Sequence, residues 1–162
     1  MDTGGLFTGS QMLEMAVQME QDGRAFYLAA AETAPAGEAA EVFRVLADEE
    51  TKHEQTFRDM LNETQGSDEW AESYEGEHTD YIKALLHSRA LPSAEEGKRL
   101  AAQSTDARYA LEFALQFEKD SVLFYDAMMQ FAKGSHTDTV ADIIAEEKSH
   151  VARILKLMQQ LS

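Results

Sequence analysis

The residues best suited to chemistry are two Glu-x-x-His pairs, Glu50/His53 in DEETKH (48–53) and Glu147/His150 in AEEKSH (145–150). A carboxylate and an imidazole three positions apart are neighbours on a helix surface. Together they supply the oxygen and nitrogen donors that a divalent metal ion takes. Two more glutamates sit in matching contexts: Glu20 in AVQMEQDGRAFY (16–27) and Glu118 in ALQFEKDSVLFY (114–125), which agree at Ala, Gln, Glu, Asp, Phe and Tyr in one register. A lone Glu-x-x-His pair says little, since 19 Glu and five His in 162 residues produce about 0.6 by chance. Glu75/His78 is such a pair, in an acidic, Gly-containing stretch without an apolar face, and reads as solvated. The other two recur in register with Glu20 and Glu118, which marks an internal duplication.

Composition narrows the setting. The chain has the length of one domain, and 44% apolar with 27% charged residues is ordinary for a globular protein. Cysteine is absent, which removes thiolate metal sites, iron–sulfur ligands and thiol nucleophiles. A formal net charge of -16 opposes nucleic-acid and anionic-membrane binding and favours cations. Neither a leader-like N-terminus nor an apolar run of membrane-spanning length is present, so a soluble, cytoplasmic protein is expected.

The elements that must position these residues are long helices, because Pro35 and Pro92 are the only prolines and glycine is sparse. The first helix is expected from a Ser10 cap to about Ala34, the second from about Glu38 to Asn62 beyond Pro35-Ala36-Gly37. Residues 63–104 read as an acidic connection carrying a short helix over Tyr81–His87 and another capped by Ser93 with Glu96. The third long helix spans about Thr105–Lys133, and Gly134-Ser135 leads into a fourth ending near the C-terminus. One all-α domain follows, a four-helix bundle of two duplicated hairpins (about 10–62 and 105–161) joined by a long, partly helical crossover.

Helical geometry sends the acids inward. At 100° per residue, Gln11, Glu14, Gln18, Gln21 and Asp22 form the polar face of the first helix, with Glu20 and Tyr27 roughly opposite. On the third helix Glu112, Gln116, Lys119 and Asp120 are the polar side, and Glu118 and Tyr125 face away. Glu50 and His53 lie among Ala39, Phe43, Leu46, Phe57 and Leu61; Glu147 and His150 lie among Val140, Ile143, Ile154 and Met158. Heights agree as well, since Glu20 and Glu50/His53 are equidistant from a point near residue 36, and Glu118 and Glu147/His150 from one near residue 133. Each set is roughly 20–25 Å from its turn, in mid-bundle.

Four buried carboxylates without counter-charge would each cost several kcal/mol. Lys and Arg lie mainly on the polar faces, so two divalent cations are the remaining way to balance them, with one imidazole for each. Oxygen-rich ligation with one nitrogen per ion favours iron or manganese over structural zinc. Tyr27 and Tyr125, two turns after their glutamates, are placed to hydrogen-bond candidate ligands or pass electrons, as candidate catalytic residues, or to be ordinary core tyrosines. Met12, Met15 and Met19 read as core or subunit interface, His87 and His136 as surface residues, and Trp70 as an anchor for the crossover or a partner subunit.

The four motifs AVQMEQDGRAFY, LADEETKHEQTF, ALQFEKDSVLFY and IIAEEKSHVARI resemble those of rubrerythrin-like proteins of the ferritin-like superfamily, whose bundles bind di-iron through Glu and Glu-x-x-His ligands. The resemblance covers nearly the whole chain except the crossover. It implies Glu20 and Glu118 as terminal ligands, Glu50 and Glu147 as bridges, and His53 and His150 completing two iron sites, with manganese or zinc as substitutes. It also implies an oxidoreductase that reduces peroxide or dioxygen, with ferroxidase or iron handling, or a non-catalytic metal-binding bundle, as alternatives. Full-length rubrerythrins carry a four-cysteine iron domain; without cysteine, electrons must come from an external donor such as a rubredoxin-like protein. The extra glutamate that rubrerythrins place one turn before the third-helix ligand is Leu115 here, so the resemblance stops short of redox-dependent ligand exchange. A homodimer is expected, because the first helix has more apolar surface than one bundle interior needs.

Overall fold

In the computed structural model, the described residues are 7–34, 37–64, 77–88 and 107–161, with Glu95 and Arg99 besides. They form α1 (Gly9–Thr33), α2 (Glu38–Glu63), α3 (Glu77–Ser88), α4 (Ala107–Met128) and α5 (Ser135–Gln160), and Glu95 and Arg99 are helical too. Helix α1 starts earlier than Ser10: Thr8 is the cap, its hydroxyl accepting from the Gln11 N–H at 3.1 Å while the Gln11 side chain accepts from the Thr8 N–H at 2.9 Å. It ends where Ala34 turns extended, as the residue before a proline must. Gly37 precedes α2 with φ of 153°, a backbone that only glycine adopts freely.

Helix α4 stops at Met128, short of Lys133. Beyond it the chain tightens into i to i+3 bonds, with the Phe131 N–H on the Met128 carbonyl at 2.9 Å and the Ala132 N–H on that of Met129 at 3.2 Å. That turn drives Phe131 into the core. Gly134, at φ 60°, then redirects the chain into α5.

Helices α1 and α2 pack as one hairpin, α4 and α5 as the other, and contacts of α1 with α4 and α2 with α5 close a four-helix bundle. Its apolar core has two layers. One gathers Met12, Leu13, Phe57, Met60, Phe124, Met128, Phe131, Val140 and Ile143; the other gathers Phe26, Ala30, Phe43, Leu46, Leu111, Ala114, Phe117, Ile154 and Leu157. On every long helix the candidate ligands fall between the two, so a polar layer is held between apolar ones. Each large apolar side chain buried there contributes about 1.5–3 kcal/mol, which is how the fold sustains a charged middle.

The reading of the methionines as core holds, and two other expectations change. Met12 and Met19 are buried, and Ile82, Leu85 and Leu86 of α3 join the same core layer, so the apolar excess of α1 is absorbed within the chain. Asp22, expected on a solvated face, is buried and accepts from the Gln18 amide at 3.0 Å, because α1 is covered on more sides than its hairpin partner alone would cover. His136 is also buried rather than on the surface: the first turn of α5 packs against the end of α2, with Nε2 2.9 Å from a Glu63 carboxylate oxygen. His87 is exposed, as expected. Trp70, Glu75 of the Glu75/His78 pair and the Ser93/Glu96 capping box lie outside the described residues.

Candidate metal centre

The two hairpins bring Glu20, Glu50, His53, Glu118, Glu147 and His150 into the mid-bundle layer, all of them buried. Their donor atoms form two groups, Glu20, Glu50, His53 and Glu147 in one, and Glu50, Glu118, Glu147 and His150 in the other, with the donors of each group within 4.8 Å of one another. Glu50 and Glu147 belong to both. Each group therefore takes three residues from one hairpin and one shared carboxylate from the other, a geometry suited to two ions sharing two carboxylates. The imidazoles lie near-parallel, ring centres 5.7 Å apart. His53 Nδ1 is 2.8 Å from Glu147 Oε1, and His150 Nδ1 is 3.1 Å from Glu147 Oε2.

The donors are poorly satisfied by protein alone. Among the described residues, every buried side-chain polar atom without a hydrogen bond belongs to these six, including Glu20 Oε2, Glu50 Oε1, His53 Nδ1, Glu118 Oε2 and both oxygens of Glu147. Native interiors pair such atoms almost without exception. A cluster of unpaired oxygens and nitrogens aimed at one another is what a pair of cations would complete, so the residues fit a dinuclear centre.

Electrostatics describe the same strain. Burial raises the pKa of Glu20, Glu50 and Glu118, and neighbouring glutamates push them further up. Glu147 is the exception, since the imidazoles of His150 and His53 close beside it outweigh its burial and bring it down. Burial lowers both histidines, yet the carboxylates around them win, raising His53 to about 11 and His150 to about 10. Protons thus stand in for metal charge in the cluster.

Three of the candidate ligands, Glu20, Glu118 and His53, are hydrogen-bonded from the opposite hairpin. Tyr27 of α1 donates its hydroxyl to Glu118 of α4, and Tyr125 of α4 donates to Glu20 of α1. The tyrosines bond across the bundle rather than to the glutamates two turns before them. Their hydroxyls are pushed well above the ordinary range by burial and by the adjacent carboxylates, and stay protonated. Behind the imidazoles, His53 Nε2 and Glu146 Oε2 are hydrogen-bonded at 2.7 Å, whereas Glu49 Oε2 lies 3.1 Å from His150 Nε2 without a hydrogen bond. Leu115 packs against the neighbouring apolar layer and offers no donor.

Sequence reasoning missed Glu49, Glu146 and Gly23. The doubled glutamates Glu49-Glu50 and Glu146-Glu147 carried the signal for the first two. A Cβ at Gly23 would fall 2.5 Å from the Phe117 ring and 2.8 Å from Glu50 Oε2, so the site requires a side-chain-free helix surface there. A glycine inside a long helix was the available clue.

The rubrerythrin family model matches residues 11–158. A crystal structure from Thermotoga maritima, provisionally described as a ferritin-like diiron-carboxylate protein, superposes with a TM-score of 0.79 at 26% identity, over 97% of this chain and 98% of that one. No curated protein matches the chain. No helix among the described residues is long and apolar enough to cross a membrane. With the family model spanning all four long helices, and the bundle built around a carboxylate–histidine layer, this chain belongs to the rubrerythrin family.

Proposed function

We propose that Glu20, Glu50, His53, Glu118, Glu147 and His150 hold two iron ions, and that the centre reduces peroxide or dioxygen with electrons from an external donor. The observation that supports this most is the set of unpaired buried donors confined to those six residues. Reduction of hydrogen peroxide to two waters takes two electrons and two protons, and a pair of ferrous ions, when bound, supplies the electrons. The chain supplies the rest. Glu50 and Glu147 fix the two positions side by side, and the apolar layers on either side exclude bulk water. Tyr27 and Tyr125 hold protons at their hydroxyl oxygens, one beside each terminal carboxylate.

These residues contain no cysteine to relay electrons, so the reading takes its reductant from a rubredoxin-like donor, in a reducing, cytoplasmic setting. A homodimer remains part of the proposal, resting now on the outer face of the second hairpin. There Val122, Leu123 and Val151, flanked by Lys119 and Lys148, line an open groove of about 430 Å³.

Stopped-flow mixing of the di-ferrous protein with hydrogen peroxide tests the reading: oxidation much faster than that of free ferrous iron is expected, and no acceleration contradicts it. Uptake of many irons per chain would point instead to ferroxidase activity, and stoichiometric zinc that survives iron supplementation to a non-catalytic centre.

A further inference from the structure

The polar groups that face the centre match between the hairpins except one turn after each terminal glutamate. Glu20 is followed at the third position by Gly23, and Glu118 by Ser121. Residues three apart are neighbours on a helix surface. Gly23 shows where this position points, since a Cβ there would fall 2.8 Å from Glu50 Oε2. Ser121 holds the corresponding place on α4, where its side chain is buried and belongs to neither apolar core layer. The two flanks of the centre therefore differ in chemistry. Against Gly23 lies the ring of Phe117, 2.5 Å from where a Cβ would stand, so the α1 flank is filled and apolar. The α4 flank carries a hydroxyl.

Among the described residues, the four long helices bury the hydroxyls of Tyr27, Tyr125 and Ser121. Those of Tyr27 and Tyr125 are committed to Glu118 and Glu20. Ser121 Oγ donates to the Phe117 carbonyl of its own helix, at 3.1 Å. The helical ladder already gives that carbonyl a backbone N–H, so the hydroxyl can turn away without orphaning it, and a serine hydroxyl rotates to suit its partner. Carboxylates and imidazole Nδ1 atoms have no proton to offer once they bind an ion.

We propose that Ser121 is the substrate-binding hydroxyl of the centre: it turns from the Phe117 carbonyl and donates a hydrogen bond to a peroxide or dioxygen held at the ions, keeping its own proton. The inference rests on the six-ligand reading above and adds one residue to it. Because the α1 flank presents Phe117 instead of a donor, the bound molecule is drawn toward α4.

The probe is azide, a small anion whose binding to ferric iron is read from an absorbance band. It is titrated into the iron-loaded, oxidised full-length wild type, Ser121→Ala and Ser121→Thr, with the iron content of each measured alongside. Iron content is expected to be equal in all of them. Azide should bind about tenfold more weakly to Ser121→Ala, the loss of one hydrogen bond to a charged ligand. Ser121→Thr, which keeps the hydroxyl, should stay near the wild type; if its extra methyl prevents iron loading, Ser121→Ala decides alone. Equal affinity in the wild type and Ser121→Ala, or no azide binding by the iron-loaded wild type, overturns the role and leaves the centre intact. An equal loss in both variants, or loss of iron from Ser121→Ala, makes Ser121 a packing residue and overturns it as well. A wild type that takes up no iron overturns the six-ligand reading itself.

Discussion

The two hairpins carry the same inward-facing groups on different outer surfaces. Glu20, Tyr27, Glu50 and His53 of the first correspond to Glu118, Tyr125, Glu147 and His150 of the second, and all are buried. On the flank, the first hairpin has an ionic network in which Glu54 meets Arg58 at 2.8 Å and Arg24 at 3.9 Å and accepts from Gln21 at 2.8 Å. The second has Val122 and Val151 at the positions of Arg24 and Glu54, and Leu155, 45% exposed, at that of Arg58. The difference teaches that the interior obeys a constraint the surface escapes. Two ions sharing two carboxylates need one donor set from each hairpin, while an exposed ion pair is worth only about 0–1 kcal/mol and can be exchanged for apolar contact.

The comparison can be broken at the shared carboxylates, where the largest effect is expected. Glu50→Ala or Glu147→Ala removes a donor common to both groups and should abolish binding of both ions, whereas Glu20→Ala or Glu118→Ala should leave one position occupied. Metal content per chain distinguishes these outcomes. Equal losses from shared and terminal variants would show that the two groups are not linked through Glu50 and Glu147.

Acid–base coupling comes next. Glu20, Glu50 and Glu118 keep their protons in the metal-free fold above the pH at which the unfolded chain has lost them, and His53 and His150 do so up to about 11 and 10. The folded state therefore binds more protons than the unfolded one across this range, and stability of the metal-free protein should fall as pH rises from about 5 toward 10. Glu147, lowered instead, acts only below that window. Metal displaces those protons, so affinity should rise with pH and loading should flatten the stability profile. Thermal melts with and without zinc across pH 5–9 (a range on the order of the shifts cited) and proton release on zinc addition measure both.

Gly23 and its counterpart Ser121 sharpen the comparison at a single atom. Gly23→Ala forces a methyl group into Phe117 and Glu50, and should cost about 1–3 kcal/mol together with weakened metal binding. Ser121→Ala removes a hydroxyl bonded only to its own helix, at the Phe117 carbonyl, and should shift stability by less than about 1 kcal/mol. Denaturant unfolding of the two variants should show the asymmetry. Tyr27→Phe and Tyr125→Phe each leave one carboxylate oxygen without its donor, at about 1–3 kcal/mol in the metal-free protein and less once metal is bound. The two should match, because the cross-bundle bonds are equivalent.

The inward-facing chemistry was legible in the sequence. Helical phase put Glu20, Glu118 and both Glu-x-x-His pairs in apolar stripes, the turns at Pro35 and Gly134 set their heights, and the structure gathers all six. What phase could not show is which neighbour covers a given face. The tyrosines' choice of the far glutamate, the burial of Asp22 and His136, and the grip of Arg153 on Glu49 all depend on how the hairpins rotate against each other and on where α3 lies. The end of α4 was misread for a related reason, since Phe131 follows a tightened turn into the core where a regular helix was expected.

The central claim, that residues from both hairpins jointly hold two ions, is tested most directly by metal analysis of protein purified without chelators, alongside the Glu50→Ala/Glu147→Ala double variant. Two ions per chain in the wild type, with an optical spectrum that changes on peroxide addition, and none in the double variant is the predicted result. One ion or fewer per chain after iron supplementation, or two ions retained by the double variant, would contradict it.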